Sequence, residues 1–192
     1  MNEDIMMKET EILSQKRFAL KNYTFELKKK DGRFETQHRE IYEHGNAIAV
    51  LLFSKEKRTV LLTKQFRLAS YLNGNDSGYL IEACAGLLDG DRPEMVVKKE
   101  IKEETGYEIS KVQKVFEAYM SPGAFTEKIH FFVAEYRAEN KVSEGGGLKE
   151  EQEEIEVLEM EFDKAYAMIA SGEIQDAKTI LLLQYAKING LV

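Results

Sequence analysis

Cysteine is almost absent from this chain. Cys84 stands alone, so no disulfide can close within it. That suits a reducing compartment, and a cytoplasmic location is expected; Cys84 itself reads as a small buried strand residue. Long apolar runs are missing too. The longest, residues 47–53, falls far short of the roughly 20 residues that cross a bilayer as a helix, so no membrane segment is expected. Residues 1–15 are charged and hold no apolar stretch of signal-peptide length. Positive charge is in deficit, with 27 Lys and Arg against 34 Asp and Glu and a net charge of -7. Broad contact with nucleic acid needs a basic surface that displaces counterions, and none is expected here. A small anionic ligand stays open, because a local basic pocket or a bound metal reverses the field where it matters.

Against these absences stand 192 residues with 43% hydrophobic content, enough for one domain plus an extra element. Residues 18–27 alternate, Asp31-Gly32 follows as a strong hairpin turn signal, and residues 34–42 return as a more polar strand. Residues 47–53 read as a buried strand, and 59–66 as another. A polar loop at 72–78 leads to a short strand at 79–83, then to a glycine-bearing turn at 85–90. Asp91 is placed as N-cap, with Pro93 in the first turn, of a helix that runs to Thr105 and stops at Gly106. Strands near 112–119, 129–136 and 155–160 follow, with a glycine loop at Gly145-Gly146-Gly147 read as flexible. Helices at 162–170 and 176–188 end the chain. There is no internal repeat and no low-complexity tract. Strands mixed with fewer helices make the fold class α+β.

The helix at 91–105 carries the chemistry. At about 100° per residue, Glu100, Glu103 and Glu104 share a side with Val96, Val97 and Ile101, while Lys98, Lys99 and Lys102 occupy the opposite side. Carboxylates placed among core-facing residues lose solvation and need a partner. A divalent cation with oxygen ligands is one solution; helix-spaced pairing with the lysines is the other. The wheel alone leaves the two open.

Elsewhere, Arg39 and Arg67 suit bidentate contacts to phosphate or a base edge, or surface pairs with acids. Glu127 follows a loop and could orient a substrate or take a proton. His38, His44 and His130 lack the context of a Ser/His/Asp nucleophile system. His130 reads as a structural strand residue, whereas His38 stands beside Arg39.

The stretch from Gly86 through Lys99-Glu100-Ile101-Lys102-Glu103-Glu104-Thr105-Gly106-Tyr107 resembles the Nudix box. Two departures stand out: Lys99 replaces the usual arginine, and the spacing from Gly86 to Glu100 is one residue short, with Asp91 in the upstream acid position. Ser121-Pro122-Gly123 with Glu127 is similar to the loop of ADP-ribose pyrophosphatase-type Nudix enzymes. Gly74-Asn75-Asp76-Ser77-Gly78, Ile81-Glu82-Ala83-Cys84-Ala85-Gly86, Glu173-Ile174-Gln175-Asp176 and Lys178-Thr179 resemble the GDP-mannose hydrolase branch of that group.

The resemblance implies a Nudix α/β/α sandwich with a mixed sheet, over residues 44–192, preceded by an N-terminal antiparallel β-hairpin element at 1–43 that joins two copies into a homodimer. It implies hydrolysis of a nucleotide sugar, GDP-mannose to GMP and mannose 1-phosphate, with Mg²⁺ (or Mn²⁺) as cofactor. Metal ligands would be Glu100, Glu104, the Ala85 carbonyl and an acid of the 150–154 loop, with Glu153 favoured over Glu151. Glu103 would act through water or behind the ligands. Catalytic residues would then be Glu100, Glu103, Glu104, Glu127 and Glu153. Substrate contacts would come from Arg67, Glu104, Glu127, Lys178, the Ala85-Gly86-Leu87 backbone and Arg17, with His38, Arg39 and Glu40 reaching in from the second copy. An ADP-ribose or other nucleotide-sugar pyrophosphatase is the alternative within the enzymes. A nucleotide-sensing module without catalysis is disfavoured by the intact Glu100, Glu103 and Glu104.

Overall fold

The computed structural model describes residues 3–148, 150 and 152–192, which fall into two compact units. One unit runs to Asn46 and takes in Tyr119–Lys128; the other comprises Ala47–Ala118 and Ile129–Val192.

The first unit is an antiparallel sheet of β1 (Ile5–Gln15), β2 (Ala19–Lys28) and β3 (Phe34–Glu43), in that order. The expected hairpin is β2–β3. Its turn forms at Asp31-Gly32, where the Asp31 carboxylate accepts the Arg33 amide and Gly32 adopts φ 85°. The extra strand β1 was hidden in the sequence because its apolar residues do not alternate. Irregular steps in its pairing with β2, between Met7 and Glu9 and between Ile12 and Ser14, explain that lost period. Every residue of β1 is exposed, Ile5, Met6, Met7, Ile12 and Leu13 among them. The 119–128 segment hydrogen-bonds to the end of β3: the Tyr42 amide donates to the Ala124 carbonyl, and the Thr126 amide to that of Tyr42.

The second unit holds β4 (Ala47–Ser54), β5 (Thr59–Phe66), α1 (Leu68–Leu72), β6 (Tyr79–Glu82), β7 (Cys84–Leu87), α2 (Pro93–Glu100), β8 (Gln113–Tyr119), β9 (Lys128–Glu135), β10 (Glu156–Glu161), α3 (Phe162–Ser171) and α4 (Ala177–Ile188). Its mixed sheet has the order β10-β5-β4-β9-β8, with β6 continuing beside β5 and β7 beside β4. β4 runs parallel to β9 and antiparallel to β5 and β7. All eight of its residues are buried, as expected of a strand covered on both faces. Ile48, Val50 and Leu52 pack in one core with Val96, Val97 and Ile101 of the α2 side. The alternate residues Ala49, Leu51 and Phe53 face the other way, where α3 and α4 bury Phe162, Ala165, Leu182 and Leu183. This is the expected sandwich of helices on both faces of a mixed sheet.

Two local expectations are corrected. Ala85-Gly86-Leu87 is strand rather than turn: Gly86 pairs with Ile48 and Leu87 with Ala47. The turn begins after it, where the Asp91 amide donates to the Leu88 carbonyl and Asp89 and Gly90 both take positive φ. Arg92, not Asp91, occupies the N-cap of α2.

Candidate active site

α2 does not run on as a regular helix. At Ile101–Thr105 it widens into a π-type turn, closed by Gly106 in the left-handed region at φ 77°. Thr105 Oγ1 turns back to donate to the Ile101 carbonyl at 2.5 Å. Such bulges change the phase of the residues that follow and recur at functional sites. Here the turn separates acids that a uniform wheel placed together. Glu103 stays near the surface and pairs with Lys99 at 3.3 Å. Glu104 is turned inward and is only 5% exposed.

Burial pushes the Glu104 carboxyl up to about 8, and the charges of Glu100 and Glu153 push the same way, against the Cys84 thiol and Arg67. Its Oε2 has no hydrogen-bond partner, although it is buried. Cys84 lies against it, and burial together with the Glu104 charge lifts that thiol well above its ordinary value. Glu100 takes the space over β7 left by the missing side chain of Gly86: a Cβ there would stand 2.6 Å from Glu100 Cγ and inside its carboxyl group.

The third acid arrives on the loop that was expected to be flexible. The Gly146 amide donates to the Glu104 carbonyl at 2.8 Å, and the Gly147 amide to the Glu103 carbonyl at 3.1 Å. Gly145 and Gly147 both take positive φ, and neither has room for a Cβ. The loop is thereby strapped along the π-type turn, satisfying carbonyls that a helix end leaves unpaired. It then closes on itself, with the Glu153 amide donating to the Leu148 carbonyl and the Leu148 amide to Glu153 Oε2. Glu151, the alternative ligand, lies outside the described residues.

Beside the acids sits a charged network. Arg67 follows β5 and grips Glu82 with two donors, Nε at 2.7 Å and Nη2 at 3.0 Å. Glu82 is 2% exposed, at the end of β6. Its Oε2 also faces Lys178 Nζ at 3.5 Å, and Lys178 donates to Asp176 Oδ1 at 2.6 Å. Asp176 caps α4 by accepting the Thr179 amide and hydroxyl, and Thr179 Oγ1 accepts the Ala83 amide at 2.6 Å. Burial lowers both cations, but Glu82 outweighs it for Arg67, and Asp176 with Glu82 outweighs it for Lys178, so both end above their ordinary values.

The other expected contacts belong to the first unit. Arg17 lies over the Phe18 ring at 5.4 Å. His38 Nδ1 meets Thr24 Oγ1 at 3.0 Å, Arg39 donates to the His38 carbonyl and to Gln37, and Glu40 stands opposite Asn22 on β2. All four are exposed. Glu127 faces His44 Nδ1 at 3.2 Å, and His44 packs among Phe18, Tyr42 and Phe125. His130 sits 3.2 Å from Glu117 across neighbouring strands, the structural place expected for it.

The NUDIX domain profile matches residues 43–183, most of the chain. The chain belongs to the Nudix family. A second profile, described as the GDP-mannose pyrophosphatase NudK N-terminal domain, matches residues 4–42 of this Nudix hydrolase. It is 50% identical, over all 192 residues and the whole of each relative, to proteins named GDP-mannose pyrophosphatase from Shigella dysenteriae serotype 1 and Escherichia coli O157:H7. A protein of the same name from Salmonella arizonae is 49% identical over the same span. A crystal structure titled as an ADP compounds hydrolase shares the fold, with a TM-score of 0.73 at 17% identity, covering 99% of this chain and 98% of that one.

Nudix hydrolases generally use divalent metal ions, and the residues present fit one. The buried, unpartnered Oε2 of Glu104, whose carboxyl feels the charges of Glu100 and Glu153, offers an oxygen donor of the kind hard cations take. Among the described residues, no three acids, histidines or cysteines are already gathered into a metal cage. No helix among the described residues is long and apolar enough to cross a membrane.

The network of Glu82, Asp176 and Thr179 around Arg67 and Lys178, and Cys84 as the neighbour of Glu104, were not foreseen from the sequence of this Nudix hydrolase. One signal was there to use. A glutamate ending a short apolar strand needs a buried cation, and Arg67 was already singled out.

Proposed function

We propose that this chain hydrolyses the pyrophosphate bond of a nucleotide sugar, GDP-mannose, to GMP and mannose 1-phosphate, using Mg²⁺ or, in its place, Mn²⁺. Two observations carry the reading. The chain matches proteins named GDP-mannose pyrophosphatase at 50% identity from end to end, and it keeps a buried carboxylate, Glu104, with an unsatisfied oxygen between two further acids.

Glu100, Glu104, Glu153 and the Ala85 carbonyl would hold the metal. A divalent ion held there would supply charge neutralisation for the diphosphate and a lowered pKa for a water nucleophile. Arg67 and Lys178 bind and orient the diphosphate from the side of Glu82, and the Ala85-Gly86-Leu87 backbone adds main-chain contacts, with Gly86 leaving its side-chain space to Glu100. Glu103, paired with Lys99, sits behind the ligands and supports the turn. Glu127, held near His44, is the candidate for orienting substrate or accepting a proton. Positioning and electrostatics then supply most of the catalysis.

We place residues 1–43 as a dimerisation element and 44–192 as the catalytic domain. A strand as long as β1, exposed throughout and carrying five large apolar residues, supports a homodimer in which a second copy covers it. His38, Arg39 and Glu40 would then serve the site of the opposite copy, and Arg17 is a further candidate substrate contact. A single cysteine supports a cytoplasmic setting.

The test is product analysis after incubation with GDP-mannose, ADP-ribose and ADP-glucose, with and without Mg²⁺. Metal-dependent release of GMP and mannose 1-phosphate is expected. Preference for ADP-ribose would replace the substrate assignment, and no metal-dependent turnover of any of the three would sink the enzymatic reading.

A further inference from the structure

We infer that Glu82 is a positioning residue for substrate binding: it fixes the Arg67 guanidinium and the Lys178 ammonium as a pair facing the same ligand. The inference rests on the substrate roles proposed for Arg67 and Lys178.

Glu82 is a carboxylate at 2% exposure on a strand end, where an ionised group is costly unless paired. It is paired twice. Arg67 presents Nε and Nη2 to it, at 2.7 and 3.0 Å, the bidentate fork that fixes the plane of a guanidinium. That engagement uses one edge of the group. The outer edge at Nη1 makes no hydrogen bond to a described residue, and the Arg67 side chain keeps 43% of its surface exposed. Held this way, Arg67 offers its free donors outward in one orientation. Lys178 Nζ stands 3.5 Å from the same carboxylate and 2.6 Å from Asp176. Asp176 is tied through Thr179 to the Ala83 amide, the residue after Glu82.

Two carboxylates, a guanidinium and an ammonium thus form a neutral quartet that bridges β6 and the start of α4. An unfixed Arg67 beside Lys178 would be repelled by it and would swing into solvent. Pre-orientation spares the substrate that ordering cost, and a diphosphate has the two adjacent anionic groups that such a pair of cations matches.

The test is steady-state kinetics with GDP-mannose at saturating Mg²⁺ on Glu82→Gln, Glu82→Asp, Arg67→Ala, Lys178→Ala and the double variant Glu82→Gln/Arg67→Ala, with thermal unfolding recorded for each. Glu82→Asp keeps the charge but pulls the carboxylate back by one methylene, so it probes geometry in a chain that retains its buried anion. Both Glu82 variants are expected to raise KM by about tenfold or more, with kcat changed much less. In the double variant, removing Arg67 should add little to the loss already caused by Glu82→Gln, because the two act as one unit. A purely structural role predicts a lowered Tm with KM unchanged, and that result overturns the inference. So does a double variant whose loss is the product of the single losses. If Arg67→Ala and Lys178→Ala themselves leave KM unchanged, the proposed substrate roles fail and the inference goes with them. If they raise KM while both Glu82 variants do not, the substrate roles stand and the inference alone fails.

Discussion

Gly86 and Glu100 occupy one another's space: the Glu100 carboxyl group lies where the first side-chain atom of any other residue at 86 would be. The strand position of Gly86, opposite Ile48, does not need glycine for its backbone. Its smallness is what matters. Gly86→Ala is therefore expected to leave the sheet intact and displace Glu100. If Glu100 ligates the metal as proposed, a shift of about 1 Å lowers kcat/KM on the order of a hundredfold. Kinetics beside a thermal melt checks this, and unchanged activity in a folded Gly86→Ala protein would remove Glu100 from the site.

Glu104 makes the metal-free protein sensitive to pH in a definite direction. Burial raises its carboxyl from 4.5 to about 8. A carboxyl raised on folding contributes its full stabilisation below the unfolded value, and loses it as pH climbs through the folded one. Between about pH 5 and 9, stability from this group falls as the buried carboxyl is forced to ionise. Glu104→Gln stays neutral throughout. In the presence of chelator, the variant should gain on the wild type as pH rises, by roughly 2 to 4 kcal/mol at the alkaline end. With Mg²⁺ and substrate the same variant should lose kcat by about a hundredfold or more. Chemical denaturation across that pH range reads the first effect. Parallel stability curves for the two proteins would count against it.

As the proposed metal ligand, the same carboxyl would link metal and proton. A carboxyl at about 8 is largely protonated at neutral pH, and it must ionise to ligate a cation. Mg²⁺ binding should release nearly one proton per ion near pH 6.5 and almost none near pH 9. Calorimetry in buffers of different ionisation enthalpy measures this directly. An apparent enthalpy that is the same in every buffer near pH 6.5 would overturn this proton coupling at Glu104.

How far the sequence carried this picture follows from where its signals are local. The buried run at β4, the Asp31-Gly32 turn and the stop at Gly106 are each written within a few residues, and the structure forms them as expected. The acids on the α2 side were visible as a group. Their division was not, because a wheel assumes a constant pitch and the π-type turn breaks it between Glu100 and Glu104. Gly145 and Gly147 read as freedom when taken alone. Their use, a close strap along the Glu103 and Glu104 carbonyls, depends on a partner about forty residues earlier. The bond from Ala83 to Thr179 spans a still longer stretch and joins residues no local pattern relates.

β1 gives the last prediction, on assembly. Its eleven residues are exposed on both faces, and Met7 and Ile12 are 58% and 56% exposed. An exposed strand with apolar side chains is a template for pairing, and a second copy of this chain is the proposed cover. Light scattering at micromolar concentration should then give a dimer. Ile12→Asp puts a charge on that surface without touching a buried contact, so it should yield a folded monomer at the same concentration. If His38, Arg39 and Glu40 act across the dimer, the monomer should also show a raised KM for GDP-mannose, recovered in part by raising protein concentration. A wild-type monomer would end the dimer proposal. A monomeric Ile12→Asp with wild-type KM would keep the dimer and confine each site to its own chain.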